Sequence, residues 1–128
     1  MDKNSDLEKW HFCDNKEDAD KLFELVKSGE KTATSCLFCC DYKSDVFSVL
    51  TNWDETEFLL LETTKVEVVR FCDVTEEFTF KEGEGNKTHE DWRKIHRVFF
   101  ESECRKLGFE FMEESLLICE EFRVVEEI

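Results

Sequence analysis

The chain has 128 residues and carries 32 acidic against 17 basic side chains, a formal net charge of −15. That length fits one domain, residues 1–128, and 13 Phe within an apolar fraction of 41% supply a core, which argues against disorder despite the charge. The acidity excludes a protein that coats long polyanions, because such binding needs clustered Lys and Arg.

Met1 to Lys9 is mostly polar and charged, without the apolar stretch of a signal peptide. The longest apolar runs, such as Phe58 to Leu61, are far too short to cross a membrane. These features point to a cytoplasmic protein with no membrane contact. A first helix is predicted between Asn15 and Lys27. Asp14 with Glu17 has the spacing of a cap and its acidic partner, Ala19, Leu22, Phe23 and Val26 recur at the helical interval, and Gly29 supplies the stop.

Short segments rich in Val, Leu, Phe and Thr then predict strands at Thr32 to Phe38, Phe47 to Thr51, Phe58 to Thr63, Lys65 to Phe71 and Leu116 to Val125. Tight loops are expected at Asn52–Asp54 and around Thr63–Thr64. Phe58–Leu59–Leu60–Leu61 does not alternate, so it reads as a central strand buried on both faces, whereas Lys65–Val66–Glu67–Val68 alternates as a half-exposed antiparallel strand does. A second helix is predicted from His89 to Leu107, capped by Thr88 and stopped by Gly108, with Trp92, Ile95, Phe99 and His96 on its buried face. Together these elements predict an α+β fold: a barrel-like sheet of five or six strands with two helices packed outside.

Two segments carry the candidate chemistry. Gly29-Glu30-Lys31-Thr32-Ala33-Thr34 joins a helix end to a strand and places Lys31 outward at a sheet rim. Glu82-Gly83-Glu84-Gly85-Asn86-Lys87-Thr88 sets two carboxylates among glycines just before a helix start, where the backbone can approach a ligand closely and free N–H groups can receive an anion or a carbonyl oxygen. The plain alternatives are a helix stop running into a strand, and a solvated acidic loop. The seven cysteines are expected to be reduced and mostly buried. Cys36-x-x-Cys39-Cys40 invites a zinc reading, but on a strand Cys36 and Cys39 point to opposite faces and no second CxxC exists, so no metal is expected. Trp92 reads as core, and Arg93 as the better ligand candidate beside it.

Trp10 and Phe12, the helix ending Leu25-Val26-Lys27-Ser28-Gly29, and Lys31-Thr32-Ala33-Thr34 resemble an ASCH domain. Glu62-Thr63-Thr64-Lys65-Val66, Phe71-Cys72-Asp73-Val74, Glu82-Gly83-Glu84-Gly85, Trp92-Arg93 and His96 with Phe99-Phe100 continue the match in order, over about residues 10–125. The resemblance implies a PUA-like barrel with a cleft at one rim, an association with RNA, and in some relatives hydrolysis of N4-acylated cytidine or of RNA. In the amidohydrolase group the catalytic set is a Lys, a Thr three residues later and a downstream Glu. These carry over to Lys31, Thr34 and Glu84, with Glu82 as the rival for the acid. In ribonuclease-like relatives a hydroxyl follows the EGEG segment, the place of Thr88. Asn86 stands where this branch usually has Asp and Thr88 where it has Ser, and the Gly-Pro turn before Glu62 is missing. The first two departures fall in the implied site and bear on activity more than on fold.

The expected function is therefore a cleft for a nucleoside or a single-stranded RNA nucleotide, with no cofactor and no role for duplex DNA. Lys31, Thr34 and Glu84 would be catalytic, and Glu82, Asn86, Thr88 and Arg93 would bind substrate. A non-catalytic module for RNA or a modified nucleotide is the alternative. Glu82 and Glu84 should keep Lys31 protonated, which leaves Glu84 as the general-base candidate.

Overall fold

In the computed structural model, residues 7–38 and 46–128 are described. The chain runs β1 (Lys9–Trp10), α1 (Lys16–Ser28), β2 (Ala33–Leu37), β3 (Phe47–Thr51), β4 (Phe58–Arg70), a 3-10 turn (Phe71–Asp73), α2 (Glu76–Glu82), α3 (His89–Leu107) and β5 (Leu116–Glu127). The strands form one mixed sheet in the order β1-β3-β4-β5-β2, parallel only between β1 and β3. This is the expected α+β class, with five strands and two long helices among the described residues. No helix of the described residues is long and apolar enough to cross a membrane.

The sheet is built around β4. The two segments expected on either side of a turn at Thr63–Thr64 are one continuous strand. A register shift between Thr63 and Lys65 interrupts the ladder where the turn was expected, another lies between Leu60 and Leu61, and the Thr64 hydroxyl donates to the Glu121 carbonyl. β4 lies centrally, yet only Leu59 and Leu61 of its apolar run are fully buried, while Phe58 and Leu60 are half-buried. One long strand thereby serves two cores. Leu59 and Leu61 join Phe12, Phe23, Val26 and Leu50 under α1, and Val69 packs against Phe71, Trp92, Phe100 and Leu117 under α3.

α1 begins one residue later than expected. Asn15, not Asp14, is the cap, its side chain accepting from the Asp18 amide, and Gly29 closes the helix at φ 87°. α3 is capped by Thr88 and ended by Gly108 as expected, but its buried stripe is Trp92, His96, Phe100 and Cys104. Ile95 and Phe99 are 43% and 47% exposed. They lie beside that stripe and turn toward a cleft rather than into the core. α2 escaped the sequence reading, although Thr75 caps it, Glu76 and Glu77 open it, Lys81 closes it and Gly83 stops it. Cys104 and Cys119 are buried as expected, whereas Cys13, Cys36 and Cys72 are exposed; Cys39 and Cys40 lie outside the described residues.

Candidate functional site

The loop from α1 to β2 is clamped on three sides. The Lys31 amide donates to the Leu25 carbonyl of α1, the Thr32 amide to the Lys81 carbonyl of α2, and the Thr32 carbonyl accepts from the Phe122 amide of β5. Gly83 makes the approach of α2 possible. Its φ is +66°, and a Cβ there would stand 2.2 Å from the Glu30 carbonyl oxygen. Gly85 likewise leaves room for the Asp91 carboxylate, at 2.0 Å from where its Cβ would be. The two glycines therefore admit neighbouring parts of the chain, where a ligand was expected.

Clamped in this way, Lys31 does not point outward at the rim. It is 1% exposed, and its ammonium donates to Glu84 Oε2 at 2.7 Å, Glu82 Oε1 at 3.1 Å and the Glu82 carbonyl at 3.2 Å. All three of its N–H bonds are thus used. Glu82, also 1% exposed, accepts at Oε2 from the Ser35 hydroxyl and the Trp92 indole, at 2.7 and 2.8 Å. The segment read as a possible solvated loop has one carboxylate sealed in the protein, while the other, Glu84, keeps 20% of its side chain exposed.

Burial alone would drive the Lys31 proton off, but Glu82 and then Glu84 outweigh it, and the ammonium is held above its ordinary range. Burial similarly opposes the charge on Glu82, yet Lys31, His96 and Ser35 together hold that carboxyl well below the usual carboxylate range. His96 stacks on Trp92 at 4.4 Å and donates from Nδ1 to the Trp92 carbonyl, which leaves Nε2 3.7 Å from Glu82 and 3.9 Å from Glu84. Burial pulls its pKa down, and the two carboxylates push it further up, to a net rise. Glu82, Glu84 and His96 offer ligand atoms within 4.8 Å of one another, a spacing a metal ion could use. The Lys31 ammonium already stands on both carboxylates as the cation.

This cluster opens into a cleft of about 380 Å³ between α1 and α3, lined by Thr34, Ser35, Glu82, Glu84 and His96 below and by apolar side chains including Leu22 and Phe99 above. The sequence-predicted residues Lys31, Glu82 and Glu84 are in direct contact, and Thr34 shares the cleft with both glutamates. Asn86, Thr88 and Arg93 are not in its lining. Thr88 Oγ1 accepts from the Asp91 amide and donates to Asn86 Oδ1, so both residues build the α3 cap. Arg93 and Arg97 grip Glu113 and lie over the Phe71 ring. Trp92 and His96, expected only as core residues of the second helix, and Ser35, which no motif singles out, join the site through Glu82. Their link to Glu82 is tertiary, and no local spacing announces it.

A mixed sheet under two long helices, with a sealed lysine–carboxylate cluster at the foot of a cleft, defines a small α+β domain built around a polar site. The chain belongs to the ASCH domain family, whose model matches residues 8–126. It is similar to the crystal structure of an ASCH domain from Lactobacillus crispatus JV V101, at 35% identity and a TM-score of 0.88, over 93% of this chain and 79% of that one. A crystal structure of a protein from Enterococcus faecalis V583 is similar at 27% identity and a TM-score of 0.82, over 95% of this chain and 82% of the other. No curated protein matches the chain.

Proposed function

We propose that the protein is a hydrolase of a small neutral amide of the N4-acylated cytidine type. The observation that carries this reading is the saturation of Lys31, whose three N–H bonds end on Glu82 and Glu84. An incoming phosphate would find no free donor on Lys31 and would face Glu82 and Glu84 at the foot of the cleft and Asp18 on its α1 side, against which Lys21 is the one lysine in the described lining, so a phosphodiester is a poor occupant. A neutral amide meets no such repulsion. The volume also falls in the range of small-molecule sites.

Glu84, the carboxylate open to the cleft, takes a proton from water as the oxygen attacks the amide carbonyl. Thr34 positions that carbonyl. The carbon–nitrogen bond then breaks, and Glu84 returns the proton to the departing nitrogen, giving a carboxylic acid and the free amine. Lys31 acts as a positioning residue, holding Glu84 in one rotamer. A groove binding RNA through Arg93 and Arg97 is disfavoured, because both guanidinium groups are already held by Glu113.

The test follows N4-acetylcytidine and a single-stranded RNA oligonucleotide by chromatography with wild type, Lys31→Ala and Glu84→Gln. Wild type should release cytidine and leave the RNA intact. Glu84→Gln should lose roughly a hundredfold or more in kcat, the usual share of a general base. Failure of wild type on every N4-acylated cytidine offered would overturn the reading.

A further inference from the structure

The cleft does not end at Thr34. A second hollow of about 560 Å³ opens on the sheet, where residues of both its edges, Trp10 on β1 and Cys36 on β2, face the same space. Phe12, Cys13, Thr34 and Ser35 line both hollows, so the two meet beside the hydroxyl placed in the amidohydrolase site.

We propose that this hollow is a second subsite, which holds the nitrogen-bearing half of the substrate and admits it only as an unphosphorylated nucleoside or base, while the acyl group lies in the first cleft. The proposal rests on the amidohydrolase reading, because it places the scissile bond at the junction.

The linings differ in the way such a division requires. The first cleft has an apolar wall of Leu22, Leu25, Ile95 and Phe99, suited to an acyl chain. The second has the rings of Trp10 and His11 for stacking a base, the hydroxyls of Ser48 and Thr63, and the carboxylates of Glu8 and Glu120 as acceptors for sugar hydroxyls or amines. No Lys or Arg is in its described lining. Burial and then Glu8 push the Glu120 carboxyl pKa up, so this space already resists negative charge. A phosphate there would meet like charge in a partly dry hollow.

Binding tests the subsite without turnover. Wild type is titrated calorimetrically with cytidine and with cytidine 5′-monophosphate. Cytidine should bind about tenfold or more tightly than the monophosphate, and Glu120→Lys should narrow or reverse that ratio. If Glu120→Lys does not fold, Glu120→Gln, which removes only the charge, must still narrow it. Turnover tests the orientation. Phe99→Ala should change the preference between acetyl and benzoyl cytidine and leave the phosphate ratio as it was, and Glu120→Lys should do the reverse.

Equal binding of cytidine and its monophosphate overturns the subsite, and so does a ratio that ignores both Glu120 variants. A swapped pattern, with Phe99 governing phosphate and Glu120 the acyl length, overturns the orientation. Selective cytidine binding without turnover of any acylated cytidine overturns the hydrolase reading and leaves the subsite standing.

Discussion

Both oxygens of the Glu82 carboxylate are held, Oε1 by Lys31 and Oε2 by Ser35 and Trp92. Such a buried charge is tolerable only while its partners remain. Lys31→Met should therefore cost about 3–5 kcal/mol, read from urea unfolding, because it strands Glu82 in a dry site. Adding Glu82→Leu to Lys31→Met should recover much of the loss, and a double variant no more stable than the single one would refute the pairing. The pH profile follows from the same contacts. The Glu82 pKa is depressed in the fold, so its contribution is present above its ordinary 4.5 and is lost as pH falls through the folded value. The His96 pKa is raised, so its contribution is complete below 6.5 and is lost as pH rises through the folded value. Thermal stability should peak between these two limits and decline on the alkaline side. His96→Asn should flatten that alkaline decline, and a wild-type Tm that does not fall as pH rises above 6.5 would refute this role.

Two glycines with similar backbone angles should behave very differently as elements meet. Gly29 has φ +87° with nothing within 4 Å of an added Cβ, whereas Gly83 has φ +66° and the Glu30 carbonyl in the way. Gly29→Ala should cost roughly 1 kcal/mol for the left-handed backbone alone. Gly83→Ala should cost clearly more, because α2 must move off the Lys31 loop, and it should carry Glu82 and Glu84 with it. Comparable losses in urea unfolding would show that the close approach is unimportant. The same contrast shows what could be read from the chain. α1, α3 and the strand segments advertise themselves by period, caps and β-branched runs, and Lys31-x-x-Thr34 with Glu82-x-Glu84 is visible as two motifs. That Lys31 turns inward was hidden, because its burial depends on the distant Lys81, Phe122 and Glu82 closing over it. α2 was legible in Thr75 and Gly83, but its seven residues are too few for a clear apolar period. The Ile95 and Phe99 side chains read as core because apolar residues at helical spacing look alike whether they face a core or a cleft.

At the scale of the molecule the net charge of −15 sets how the protein meets solvent and ligand. Many of its ion pairs, such as Lys16–Asp54 and Lys65–Glu67, lie on the exposed surface, where each contributes about 0–1 kcal/mol and is screened by salt. The surplus of carboxylates repels itself over longer distances, and that repulsion is screened as well. With so large an imbalance the second effect should win, so Tm should rise between roughly 0.05 and 0.5 M NaCl. The buried Lys31–Glu82 contact is sheltered from this screening, so the site should keep its geometry over the range. A ligand choice follows from the pair of effects. An RNA strand held through phosphates releases counterions, and its affinity falls steeply with salt, by a slope of about −0.7 per contact. A neutral nucleoside releases none. Cytidine affinity measured across the same NaCl series should therefore be nearly flat while Tm climbs. A steep negative slope would place phosphate contacts at the centre of recognition and would count against the carboxylate-lined cleft as the ligand's seat.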